Sequence, residues 1–162
     1  MLSKLRQSKE QGFTIIEVLI VLAIAGLILL VVFLAVPALQ RNARNTQRSN
    51  DVAGILGGMN EFVNNNNGVL PTAVSVSGNT LTIGASGSNQ VPVSLGYYNG
   101  ASSISLATFA SNGATNGTTT DTVVVVTGAK CGTAIGTAAS SSSRSYAALY
   151  TSEQASKQCK ES

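Results

Sequence analysis

Hydrophobic positions divide the chain into stretches of different texture. From Phe13 to Leu39 the only polar side chains are Thr14 and Glu17. At ~1.5 Å per residue, a helix over those positions exceeds the ~30 Å hydrocarbon core of a bilayer, so the stretch reads as a membrane-spanning helix. From Ala38 to Val63 the pattern becomes one-sided. Leu39, Ala43, Val52, Ile55, Leu56, Met59, Phe62 and Val63 recur mostly at spacings of three and four, while Gln40, Arg41, Arg44, Asn45, Gln47, Arg48, Asn50 and Asp51 take the remaining face. Together the two stretches predict one continuous helix from Phe13 to Val63, whose outer half lays the stripe from Val52 to Val63 against a sheet. Arg48 and Asp51, three apart, read either as a weak pair on the wet side of that helix or as two solvated charges.

The helical pattern stops at Asn64-Asn65-Asn66-Asn67-Gly68, with Pro71 just beyond. Downstream the period falls to two. Residues 73–77 and 80–83 alternate around Gly78-Asn79, a two-residue hairpin signal. Further strands are predicted at 91–95, at 104–109 and over the β-branched run Thr122 to Thr127, with Ser145 to Tyr150 as the last. Pro92 confines its strand to a sheet edge or leaves the segment merely extended. Residues 84–90, 111–120 and 132–143, rich in Gly, Ser, Thr and Asn, read as loops. The predicted fold class is α+β: a long N-terminal helix, transmembrane in its first half, packed by its outer half on a C-terminal antiparallel β-sheet. The chain then divides into a leader (1–12), a spanning helix (13–39), an amphipathic helix half (40–65) and an exported β-rich domain (66–162).

Charge adds a question to this outline. A carboxylate in the middle of a spanning helix costs roughly 2.5 to 3.5 kcal/mol, less near an end, and is rarely kept there without a partner. Glu17 therefore needs a cation. A cut after Gly12 supplies one, because the new amine on Phe13 lies one helical turn from Glu17, within its own chain or on a neighbour. Lys4, Arg6 and Lys9 precede the apolar run and place the N-terminus in the cytoplasm by the positive-inside rule; Arg41, Arg44 and Arg48 follow the run and oppose that orientation unless packing against other subunits absorbs them. An ordinary secretory signal fits less well, since its apolar region would be about twice the usual length and the only small-residue cleavage candidate, Leu34 to Ala38, lies at the far end. A plain single-pass anchor with Glu17 near the interface is the other alternative.

The order of these residues, a short charged leader ending in Gly12 and then Phe13-Thr14-Ile15-Ile16-Glu17 opening an apolar helix, resembles the type IV prepilins. The resemblance implies cleavage between Gly12 and Phe13 by a membrane-embedded aspartyl prepilin peptidase, which also methylates the Phe13 amine. It gives Glu17 the role of registering a new subunit against the terminal amine of the previous one. It implies that Gly26 and Pro37 let the helix lose order in the assembled fibre, although the Pro departs from the commonest position, which falls at Leu34. It also implies the ladle-shaped pilin fold, a homo-oligomeric helical fibre at the cell surface, assembly machinery driven by cytoplasmic ATPases, and uses in adhesion, twitching motility or DNA uptake. DNA is a partner that the resemblance permits without indicating it. The major pseudopilins of type II secretion share the same N-terminal pattern and remain the alternative.

Composition changes the picture little. About 120 residues follow the apolar run, enough for a single modest core, and only 10% of the chain is charged. Cys131 and Cys159 bracket the last predicted strand; an even pair in an oxidising compartment is most simply a disulfide, worth roughly 3 to 4 kcal/mol in the chain-entropy model, with two free thiols as the alternative. Pilins often carry such a C-terminal loop, which this pair matches. The absence of histidine excludes Ser-His-Asp and Cys-His chemistry, and the few exported acids are isolated, so no enzyme is indicated. No cofactor or metal is expected: two cysteines cannot fill a zinc shell, and Asp121 beside Asn116 offers one carboxylate to a calcium ion. Asn116-Gly117-Thr118 matches a glycosylation sequon by accident of pattern, and Lys130, Arg144, Lys157 and Lys160 read as scattered charges rather than a basic patch.

Overall fold

The computed structural model describes residues 12–100, 103–109 and 119–162. The leader before Gly12, the Asn116-Gly117-Thr118 sequon and most of the 111–120 stretch lie outside the described residues. Helix α1 (Ile15–Asn65) is followed by β1 (Val74–Ser77), β2 (Thr80–Ile83), β3 (Val91–Ser94), β4 (Ile104–Thr108), β5 (Val123–Thr127), β6 (Ala129–Cys131), β7 (Ala138–Ser140), β8 (Tyr146–Thr151) and β9 (Lys157–Glu161). This is the α+β layout that the hydrophobic pattern predicts. The chain forms two compact units, Met1–Gln40 and Arg41–Ser162, with the division inside α1.

In the first unit the helix runs through Gly26 and Pro37 without interruption. Every large apolar side chain from Phe13 (88% exposed) to Leu39 (66%) is exposed. The helix contains an 18-residue window of mean hydropathy 3.4, none of it buried within the chain. It is long and apolar enough to cross a membrane, and unlike the core helix of a soluble protein this part has nothing packed over it among the described residues.

In the second unit the asparagine run ends α1 by a specific device. Asn67 adopts φ 54° and Gly68 φ 83°, the Gly68 N–H donates to the Val63 carbonyl at 2.8 Å, and the Asn66 amide donates to the Phe62 carbonyl at 2.8 Å. This is a Schellman-type ending with asparagine in the left-handed position. The predicted hairpin follows: β1 and β2 pair antiparallel with Ser77 opposite Thr80, and Gly78 alone in the turn takes positive φ. β3 joins β2 at the edge of this three-stranded sheet, where Pro92 leaves no interior ladder bond unmade.

The other sheet corrects the expectation of purely antiparallel pairing. Its order is β4-β5-β8-β9, and β4 runs parallel to β5 with Ile104 opposite Val123. Fourteen residues, 109–122, separate those strands, enough for the crossover that a parallel pair requires. β5 is central and covered on both faces, which is why its sequence is a β-branched run rather than an alternation. Val123 and Val125 pack on one face with Val52, Ile55, Met59 and Phe62 of α1, Leu81 and Ile83 of β2, and Tyr146 and Ala148 of β8. Val126 packs on the other with Ala129, Ala138, Ala147 and Leu149.

Three further expectations are overturned. Residues 132–143 are not all loop, because Ala138–Ser140 pairs antiparallel with β6 as a small ribbon. Tyr146–Thr151 is not the last strand, because β9 pairs with it antiparallel, Leu149 opposite Cys159. Arg48 and Asp51 are neither a wet-side pair nor solvated: they are 1% and 6% exposed, and each bonds to segments distant in sequence rather than to the other. Two of the arginines that follow the apolar run have partners within their own chain: Arg44 pairs with Glu153, and Arg48 is buried.

Candidate processing and assembly site

The expected processing residues lie at the exposed start of α1. Gly12, Phe13 and Thr14 have no regular secondary structure, and the helix begins at Ile15. A Cβ added at Gly12 would meet nothing within 4 Å, so packing within the described residues does not demand a glycine at that position.

Thr14 is the N-cap. Its N–H donates to Glu17 Oε2 at 2.9 Å, its hydroxyl donates to the same oxygen at 2.7 Å, and the Glu17 N–H donates to Thr14 Oγ1 at 3.3 Å. Ser or Thr followed three residues later by Glu is the capping-box pattern, here closed reciprocally. Sequence reasoning assigned no role to Thr14, although Thr14-Ile15-Ile16-Glu17 before an apolar run carries the signal. The first turn also gives the acid a favourable helix dipole. Both bonds that the carboxylate accepts use Oε2; Oε1 has no partner among the described residues. Around it, Phe13, Val18 and Val21 present exposed apolar side chains. The arrangement holds one carboxylate oriented at the head of a greasy helix, with Oε1 unpaired among the described residues.

The remaining predicted residues lie elsewhere. Gly26, like Gly12, has open space where a Cβ would stand, and Pro37 lies within the helix. Cys131 of β6 and Cys159 of β9 are joined in a disulfide that fastens the β6–β7 ribbon to the edge strand of the four-stranded sheet. The Cys131 N–H also donates to the Glu161 carboxylate at 2.7 Å. The four basic residues are dispersed: Lys130 and Lys157 are exposed, Lys160 donates to the Ser49 carbonyl at 3.4 Å, and the Arg144 guanidinium lies beside Gly68 at the end of α1. Asp121 accepts the Tyr97 hydroxyl at 2.8 Å, while Asn116 lies outside the described residues. No cluster of three or more metal-ligating side chains occurs among the described residues.

Comparison with known proteins bears on the same N-terminal segment. The family model described as the prokaryotic N-terminal methylation motif matches residues 7–33. No curated protein and no solved structure matches the chain. The matched motif spans the Gly12–Phe13 bond, the capping box and most of the exposed apolar helix; it is a structural, pilin-type segment and not an enzyme class. The chain thus carries a match to the N-terminal methylation motif at the head of a long apolar helix, a segment similar to the signal segment of type IV pilins and pseudopilins.

Proposed function

We propose that this chain is the structural subunit of a type IV pilus. A prepilin peptidase cleaves it between Gly12 and Phe13 and methylates the Phe13 amine. Until assembly the subunit waits as a single-pass membrane protein with its N-terminus in the cytoplasm. Polymerisation then replaces lipid with the helices of other copies, and the exported unit faces the outside on a surface fibre used for adhesion, motility or DNA uptake.

The observation that carries this reading is the methylation motif placed on an exposed apolar helix whose first acid is already oriented. Before cleavage, Thr14 and the helix dipole satisfy Oε2 of Glu17. Cleavage creates an ammonium on the residue adjacent to Thr14, within one turn of the acid in its own chain or offered to the acid of a neighbour. A charge pair in a low-dielectric bundle offsets a desolvation cost that neither ion tolerates alone. Gly12 needs no small side chain for packing in the described structure, which fits a constraint imposed by a peptidase instead. Gly26 and Pro37 weaken the helix between them and are the points at which it extends on assembly. The disulfide-fastened C-terminal segment favours a pilin over a pseudopilin.

Mass spectrometry of surface fibres sheared from the native cells tests the proposal. Abundant chain beginning at Phe13 in that fraction is the expected result. Chain beginning at Phe13 in the envelope but absent from fibres would instead assign it to a pseudopilin, and an uncut membrane chain would overturn both.

A further inference from the structure

Where α1 joins the β-rich unit, five of its residues within positions 44–51 bond to segments far away in sequence. Asp51, 6% exposed, accepts three consecutive backbone N–H groups, from Gly96 at 2.9 Å, Tyr97 at 2.7 Å and Tyr98 at 3.1 Å. A Cβ at Gly96 would lie 2.6 Å from Gln47 Nε2, so a side chain there would displace Gln47 from its place beside the loop. Arg48, 1% exposed, lies with Cζ 4.1 Å from the centre of the Tyr97 ring. It donates to the Tyr97 hydroxyl and to Asn45 Oδ1 at 3.1 Å, with carboxylate oxygens of Asp121 and Glu153 each 3.8 Å away.

The β8–β9 turn closes over the same helix face. Arg44 grips the Glu153 carboxylate through Nε and Nη2, Asn45 Oδ1 also accepts the Glu153 N–H at 3.0 Å, and Lys160 reaches the Ser49 carbonyl. That turn holds Ala155 at φ 56°, a left-handed conformation that is strained for a residue with a side chain and persists where its surroundings enforce it.

We infer that residues 44–51 form a mechanical clasp that transfers tension along α1 into the β-rich unit. The apolar stripe from Val52 to Phe62 holds the helix by burial, which is non-directional and resists sliding weakly. Hydrogen-bonded buried charges are directional, and shearing the helix past its neighbours strands Asp51 and Arg48 without partners in the interior. The clasp lies just beyond Leu39, the end of the apolar run, so a pull on that run reaches these bonds before it reaches the stripe. Its biological use rests on the fibre reading, because a filament subunit is pulled through this helix.

The test is single-molecule pulling on the full chain in detergent micelles, tethered at both termini with the disulfide intact. Arg48→Met and Asp51→Asn are expected to detach the helix at least ~10-fold faster at a given force. Val63→Ala, beyond the clasp, is expected to lower equilibrium stability while leaving the detachment rate near wild type. Should the buried variants fail to fold, Glu153→Gln and Arg44→Gln at the less buried end of the clasp are expected to speed detachment several-fold. Equal detachment rates for wild type and every folded clasp variant would overturn the inference. The measurement is made on single chains, so its outcome is independent of whether the chain is found in fibres.

Discussion

Between Ile15 and Leu39, α1 leaves every large apolar side chain exposed, whereas between Val52 and Phe62 the same helix buries Val52, Ile55, Leu56, Met59 and Phe62 to 5% exposure or less. Hydrophobic burial is worth roughly 25 cal/mol per Å², so a folded chain does not leave a continuous apolar helix in water. The outer half finishes its burial within the β-rich unit. The inner half is left uncovered among the described residues, and its one acid is held in a capping box at the exposed end. One helix therefore serves two solvents, and the polar residues at 44–51 mark the change between them.

Substitutions that treat the halves alike should show how differently they work. The inner half is tested at Glu17. Glu17→Val should leave cleavage intact yet fall at least ~10-fold behind wild type in sheared fibres when both are expressed together, since the pairing charge is lost in a low-dielectric bundle; unchanged incorporation would remove the charge pairing from the account. In the outer half, Asp51→Ala should destabilise the β-rich unit by about 3 kcal/mol by orphaning buried N–H groups, and Leu56→Ala by about 2 to 5 kcal/mol. Leu22→Ala, chemically the same change in the inner half, should leave denaturant unfolding of that unit unmoved; a comparable loss there would mean that the inner half is packed after all.

Two adjacent glycines sharpen the contrast at smaller scale. A Cβ at Gly58 would lie 2.9 Å from Ile83 Cδ1 and closer still to Val93, whereas one at Gly57 meets nothing within 4 Å. Gly57→Ala should therefore stabilise by up to about 1 kcal/mol, while Gly58→Ala should destabilise by about 1 to 3 kcal/mol, both read from thermal or denaturant melts. The smallest effect concerns pH. The Arg44 guanidinium bonded to Glu153 holds that carboxyl below the usual carboxylate range. Its contribution is therefore present above the unfolded value of ~4.3 and is lost as pH falls through the lower folded value. Below about pH 4 the melting temperature of wild type should fall more steeply than that of Glu153→Gln, and parallel curves would remove the ion pair from the stability account.

The apolar run, the single long helix and its asparagine stop, and the Gly78 hairpin were legible in the sequence, because each is a local pattern with one physical solution; Pro92 left an edge strand or an extended segment, of which the structure shows the first. β9 was not. Lys157-Gln158-Cys159-Lys160-Glu161 lacks strand-forming side chains and is held by its partner β8 and by the disulfide. β6 and β7 were hidden by short, small-residue composition, and the parallel β4–β5 pair depends on a crossover that no local pattern reveals. Arg48 and Asp51 were misread from their charge. Their spacing held the correction, since positions 48, 51, 52, 55, 59 and 62 fall on one helical face and all are buried. At the N-terminal site, Glu17 stood out by its isolation, while Thr14 was overlooked because its capping role is written in the three-residue step to Glu17.

The most direct measurement is the intact mass and N-terminal sequence of the chain isolated from its native envelope. Chain starting at an N-methylated Phe13, with Lys4, Arg6 and Lys9 removed, is the predicted result. Chain that retains Met1, or that starts beyond the apolar helix, would contradict the claim that cleavage supplies the cation for Glu17.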